Sequence, residues 1–397
     1  MTNIQLDLLG KRHSLYDSLL RNPPDGFQFQ LATGSLKRIA DLSSRIEIVP
    51  NLVLRSINEV LPISIVKPLL EKGNKLPSGV ALTYSAGHLI FSDAPWIVDI
   101  EFVTHLAGYD YAHFLRFRKL IERTLAADSC KAVLCWTLAG TRTVFENLHC
   151  DDWREKVHHV PLAVPLSRTV ARASDEDTVR ILFVGSGNIP GQFEVKGGME
   201  VLAAHARLIK KYDCVELVMR SDMPGHWKKV ARRLPRTTVL DGRLPPEALR
   251  RLFDSAHIFL FPSYNTPGLV FLDAMNHELP IVTTNVWANS EMIVDGVGGF
   301  IVPASRRVPY RGKRIPAWGE QKFLRTLKQP DPEVVRAVVE ALSVLIEDSV
   351  LRRQMGRAGR SRVEKGPYSQ QHRNEILGRI LKTACESSQL LPSNTGG

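Results

Sequence analysis

Short apolar runs alternate with longer stretches of helical spacing along almost the whole chain. This alternation constrains the fold more than any other feature. In the first half, "IQLDLL", "FQFQLAT", "IEIVPNLVL", "VALTYS", "WIVDIEF" and "KAVLCW" read as strands. Between the last two, "YAHFLRFRKLIERTLAAD" carries apolar residues at helical spacing. Strands separated by helices specify βα units and a parallel sheet. The pattern then breaks at "HHVPLAVPLSRTVARASDEDT", where two prolines precede an aperiodic polar run, as in a linker. It resumes at "VRILFVGSG" and continues through "VELVMRS", "TTVLDG", "HIFLFPS", "PIVTTN" and "GFIVP". A chain of 397 residues is long enough for two cores. We therefore expect two α/β domains, Rossmann-like, over residues 1–168 and 169–397.

One segment departs from this order. Residues 304–329, "ASRRVPYRGKRIPAWGEQKFLRTLKQ", crowd arginine, lysine, proline and tryptophan with only Glu320 opposing the charge. They read as an inserted basic loop exposed to solvent. Tyr310, Trp318 and Phe323 lie among its cations, a mixture that also suits an anionic lipid surface. Beyond the insert, "DPEVVRAVVEALSVLIEDSVLRRQMGRAGRSRVEKG" supplies two or three helices expected to pack back across both domains.

Bulk properties narrow the function. With 44% hydrophobic and 23% charged residues the composition is globular. A net charge of +11 favours anionic partners. The cations are spread along the chain and no nucleic-acid module is visible, so no nucleic acid is expected as a partner. Five scattered cysteines without a CxxC pair indicate reduced thiols and a cytoplasmic protein. No signal peptide and no run long enough to span a membrane is read. Any membrane contact is expected to be peripheral.

The stretch most suggestive of chemistry is "FPSYNTPGLVFLDAM" over residues 261–275. A strand ends at Ser263 and a helix is expected to begin at Pro267, capped by Asn265 or Thr266. The backbone amides of Gly268, Leu269 and Val270 would then face the carboxyl end of a parallel sheet, where open α/β folds bind ligands. A helix start of this kind favours an anion. Asp273, two turns on, is placed to accept hydrogen bonds from hydroxyls. The same residues also describe a plain capped helix after a buried strand.

The longer stretch "FPSYNTPGLVFLDAMNHELPIVTTNVWANSEMIVDGVGGFIVP" resembles the donor-site region of glycosyltransferase family 4, which has the GT-B fold. The resemblance rests on Pro262-Ser263, Asn265 through Asp273, Ala274-Met275, Pro280-Ile281-Val282, Glu291, Asp295-Gly296 and Val302-Pro303. Upstream, Gly185 and Lys196-Gly197 fit the family's diphosphate-holding Gly-Arg and Lys-Gly, with Ser186 at the arginine position. Leu162-Ala163 replaces the Asn-Gly of the family's hinge.

The resemblance implies a donor nucleoside diphosphate sugar bound by Gly185, Lys196, Asn265, Gly268, Leu269, Val270 and Asp273. Lys196 and the amides near Gly268 would neutralise the diphosphate. Asp273 would take ribose hydroxyls, and Asn265 would meet the sugar as a catalytic residue. It implies retention of anomeric configuration, no structural metal and no cofactor besides the donor. In the N-terminal domain, Glu101 falls where many members carry a reaction-centre His-Asp and is the second catalytic candidate. Gly10, with Lys11 and Arg12 after it, together with Asp99 and His105, is the candidate acceptor side. Asp99 and Glu101 alternate on what reads as one face of a strand.

The reading is a cytoplasmic glycosyltransferase acting on a glycan, lipid-linked or small-molecule acceptor across a cleft. The alternatives are a nucleotide-sugar epimerase and a non-catalytic relative that binds carbohydrate or a partner enzyme.

Overall fold

The computed structural model describes residues 1–8, 14–32, 62, 64–65, 76–167, 177–185, 192–266 and 268–389. Within these, two compact units form. One comprises the described residues of Met1–Leu162, Arg311–Ile315 and Gln371–Gly397, the other those of Ala163–Tyr310 and Pro316–Gln370.

The first unit holds strands β1 (Thr2–Leu8), β2 (Phe27–Leu31), β3 (Val80–Ala86), β4 (Trp96–Ile100), β5 (Cys130–Cys135) and β6 (Val157–His159). They form one sheet in the order β2-β1-β3-β4-β5-β6, with every neighbouring pair parallel. A parallel sheet is covered on both faces, so its central strands need near-continuous apolar runs. All five residues of β4 are buried. The helix Tyr111–Ala126 follows the spacing read from sequence and buries Phe114, Ile121 and Leu125. The Asp110 side chain caps it by accepting from the His113 amide at 2.7 Å. Strand β6 leaves no signal in the sequence, because the three residues "VHH" carry no periodicity. The strand expected over residues 46–54 lies outside the described residues.

The second unit holds β7 (Val179–Val184), β8 (Val215–Arg220), β9 (Thr237–Leu240), β10 (Ile258–Phe261), β11 (Ile281–Thr284) and β12 (Gly299–Val302). Their order is β12-β11-β10-β7-β8-β9, again wholly parallel. All six correspond to strands read from sequence. Because β8 lies on one side of β7 and β10 on the other, chain direction across the sheet reverses at β7. In open α/β sheets ligands bind outside the carboxyl ends at such a point. Beneath that edge sits an aromatic core. Phe183 stacks on Phe261 at 5.4 Å, Phe261 on Phe259 at 5.7 Å, and Phe271 meets Phe261 edge-on at 6.0 Å. Offset and edge-on pairs add about 0.5–1.5 kcal/mol each beyond area burial.

The insert is not the solvated loop expected of it. It forms a small ladder between β13 (Tyr310–Arg311) and β14 (Ile315–Pro316), then a helical turn, Gln321–Leu324. Ile315, Ala317, Phe323 and Leu327 are buried, and Phe323 packs 5.9 Å from the Tyr264 ring. The apolar residues spaced among its cations need cover from water, and packing onto the protein supplies it. Phe323 is therefore unavailable to a lipid surface. After the insert come helices Pro332–Glu347, Ser349–Glu364 and Gln370–Gln389. Among the described residues no helix is long and apolar enough to cross a membrane.

Candidate donor site

The turn after β10 is held by nearly every polar group it contains. The Tyr264 amide donates to Val195 O at 2.8 Å, and its hydroxyl donates to Glu200 Oε1 at 2.7 Å. Ser263 Oγ donates to Asn265 O, and Thr284 Oγ1 donates to Ser263 O at 2.6 Å. Glu200 is wholly buried, and burial pushes its carboxyl up to about 7. These bonds fix the turn's shape before any ligand arrives, although Glu200 Oε2 is buried without a partner among the described residues.

The helix after the turn spans Leu269–Asn276, with Gly268 at its N-cap (φ 59°, ψ −106°) and no side-chain cap. This corrects the expected capping by Asn265 or Thr266. Thr266 Oγ1 accepts instead from the Ala288 amide at 3.1 Å, and Asn265 Oδ1 accepts from Lys196 Nζ at 3.2 Å. The positive φ of Gly268 swings the chain so that the preceding side chains point elsewhere. Pro267 lies outside the described residues. Among the described residues no side chain accepts from the start of the helix, with its amides of Leu269 and Val270.

Lys196 reaches the turn from the end of a short helix, Gln192–Val195. Its ammonium also lies 5.8 Å from the centre of the Phe261 ring. Gly197 follows with φ +82°, and a Cβ there would stand 2.2 Å from Pro262 O. Only glycine lets the two loops approach this closely. At the end of β7, Gly185 is equally constrained, since a Cβ would meet Ser221 Oγ at 2.6 Å. Ser186 lies outside the described residues.

Asp273 is half-buried on the helix Leu269–Asn276. No side chain among the described residues pairs with it, and desolvation pushes its carboxyl up to about 7. The edge of this unit therefore joins an ammonium–amide pair, an uncapped helix start and an unpaired carboxyl. The first two suit an anion and the third suits hydroxyl donors.

In the first unit the expected residues separate. Asp99 is buried in β4 at 1% exposure. It accepts from Tyr16 Oη at 2.9 Å, Tyr84 Oη at 3.1 Å and Trp136 Nε1 at 3.1 Å. Burial pushes its carboxyl up to about 7 against the pull of those three bonds. Strand β4 stops at Ile100, so Glu101 lies just past the strand rather than on it. Its amide donates to His105 Nδ1 at 3.3 Å, which leaves the His105 proton on Nε2. The His105 ring stacks on Tyr109 at 4.5 Å and meets Trp136 edge-on at 5.8 Å. Glu101 and His105 thus come together at the strand end, with Asp99 fixed behind Trp136. Gly10 lies outside the described residues. Sequence reasoning missed Tyr264, Glu200 and the partners of Asp99; these depend on contacts across long sequence separations.

Two wholly parallel six-stranded units, the second with this site at its switch point, give the chain an α/β fold of the GT-B kind. Residues 167–308 match the family model described as "Glycosyl transferases group 1", and that segment is of the group 1 type. A stretch of 138 residues is 29% identical to the capsular polysaccharide biosynthesis glycosyltransferase CapM of Staphylococcus aureus. It covers 34% of this chain, and the chain spans only 29% of that relative. Among solved structures, sucrose-phosphate synthase from Thermosynechococcus elongatus superposes with a TM-score of 0.64 at 14% identity, covering 96% of this chain and 99% of that one. Anabaena Alr3699/HepE in complex with UDP-glucose gives 0.58 at 13% identity, covering 96% and 100%.

Proposed function

We propose that the chain is a glycosyltransferase of family 4 type that uses a nucleoside diphosphate sugar as donor. The observation that carries this reading is the pairing of Lys196 with Asn265, together with an Asp273 that no described side chain pairs with, at the switch point of a unit whose sequence matches a glycosyltransferase model. In this reading Lys196 and the amides of Gly268, Leu269 and Val270 stabilise the charge that grows on the departing diphosphate. Asp273 accepts the ribose hydroxyls, and bound hydroxyl donors bring its carboxyl back toward the ionised state. Asn265, which already accepts from Lys196, uses its remaining amide donors on the sugar. Glu101 and His105 serve the acceptor, a glycan, lipid-linked or small molecule, and the transfer retains configuration. The protein works in the cytoplasm, needs no cofactor besides the donor, and any membrane contact is made from its surface.

Saturation-transfer NMR with UDP-, GDP-, ADP- and dTDP-sugars tests this directly. One donor class is expected to bind, with at least tenfold loss in Lys196→Ala and Asp273→Ala. Silence from the whole panel on folded protein would overturn the reading. Donor binding without transfer to any acceptor would favour a non-catalytic relative, a reading supported by an amide, not a carboxylate, at residue 265.

A further inference from the structure

At the end of β8, next to β7, stands Arg220. Its backbone carbonyl accepts from the Gly185 amide at 2.8 Å, and its own Nη1 donates back to Gly185 O at 3.0 Å. The guanidinium is thereby folded over the carboxyl end of β7. Its Nε is buried and has no hydrogen-bond partner among the described residues. No carboxylate among the described residues pairs with it either. Burial pulls its pKa down, and Arg243, a second cation, adds to that pull. A buried donor left unmade costs about 1–3 kcal/mol, more for a charged group. The like charge of Arg243 adds repulsion to that cost. Such an arrangement is compensated when an anion is bound.

Position identifies the anion. In the order β10-β7-β8, Lys196 overlies the end of β10 through Phe261, and Arg220 closes β8. The end of β7 with Gly185 lies between them. Adjacent strands are about 4.8 Å apart, so the two cations flank the switch point from either side. There the resemblance seats a diphosphate, using an arginine immediately after the glycine, and this chain has Ser186 at that position. We propose that Arg220 supplies the guanidinium for the donor diphosphate from the neighbouring strand. The assignment rests on the nucleotide-sugar reading above and adds a specific residue to it. A planar guanidinium can meet phosphate oxygens with two parallel donors, which a lysine cannot reproduce.

The test is an NMR titration of the full chain with UDP, GDP, ADP and dTDP and with the four matching nucleosides. Wild type, Arg220→Ala, Arg220→Lys and Lys196→Ala are compared. For the nucleotide that wild type binds, Arg220→Ala is expected to weaken the diphosphate by roughly 10- to 100-fold and leave the nucleoside unchanged. Arg220→Lys should recover part of the loss. If the alanine variant melts early, Arg220→Gln keeps a donor for Gly185 and takes the same readout. Equal diphosphate affinity in Arg220→Ala, with Lys196→Ala impaired, would overturn this assignment and leave the donor reading intact. Equal losses for nucleoside and diphosphate would make Arg220 a support for Gly185 alone and also overturn it. Failure of wild type to bind any of the nucleotides would remove both.

Discussion

Asp273 shows how one side chain couples stability to ligand binding. A carboxyl whose folded-state pKa stands above its unfolded value binds more protons when folded. Its contribution is therefore most favourable below about pH 4 and declines as pH rises through about 7. Asp273→Asn removes that decline. The variant should be more stable than wild type at pH 8, by roughly 1–2 kcal/mol after screening on its open side, yet bind donor more weakly. Thermal melts at pH 5 and pH 8 check this; an equal difference at both pH values would discard it. The identities of Lys196, Asn265 and Asp273 were legible because a run of motif letters carries them. The direction of the Asn265 side chain was not, since it depends on the backbone at Gly268. Nor was the enclosure of Asp99, whose hydroxyl partners lie 83 and 15 residues away in sequence.

Among elements, strands with continuous apolar runs could be read directly, since a parallel strand covered on both faces has little choice of residue. The insert could not. Its composition is that of a loop, and only the packing of Phe323 and Leu327 shows that it forms part of a core. Around that core, Lys322, Arg325 and Lys328 remain exposed. The peripheral membrane contact proposed above rests on these cations and not on the buried Phe323. Sedimentation with phosphatidylserine vesicles should show binding that weakens by up to about 1 kcal/mol per cation replaced by alanine. It should also fade at high salt. A triple variant that sediments like wild type would remove the membrane role of the insert.

For the molecule as a whole, the division into units does not follow the order of the chain. Helix Gln370–Gln389 contributes all but its first residue to the unit that begins at Met1. There Arg373, 2% exposed, donates to Ser18 Oγ at 3.4 Å and Asn22 O at 3.1 Å. Burial pulls its pKa down to about 10. Arg373→Ala should cost roughly 1–3 kcal/mol by leaving these acceptors unmet. The cost should be confined to one unit. Hydrogen exchange is expected to quicken in β1 to β6 and stay unchanged in β7 to β12; uniform quickening would contradict it. No periodicity within the helix announced this membership, because its partners are 351 and 355 residues away.

That membership also sets a timetable for synthesis. Domains usually fold in the order in which they leave the ribosome, N-terminal first. Here the residues of the second unit, up to Gln370, have all been made before the first unit receives its last helix. The sheet begun at Thr2 is without that helix while some two hundred later residues are translated.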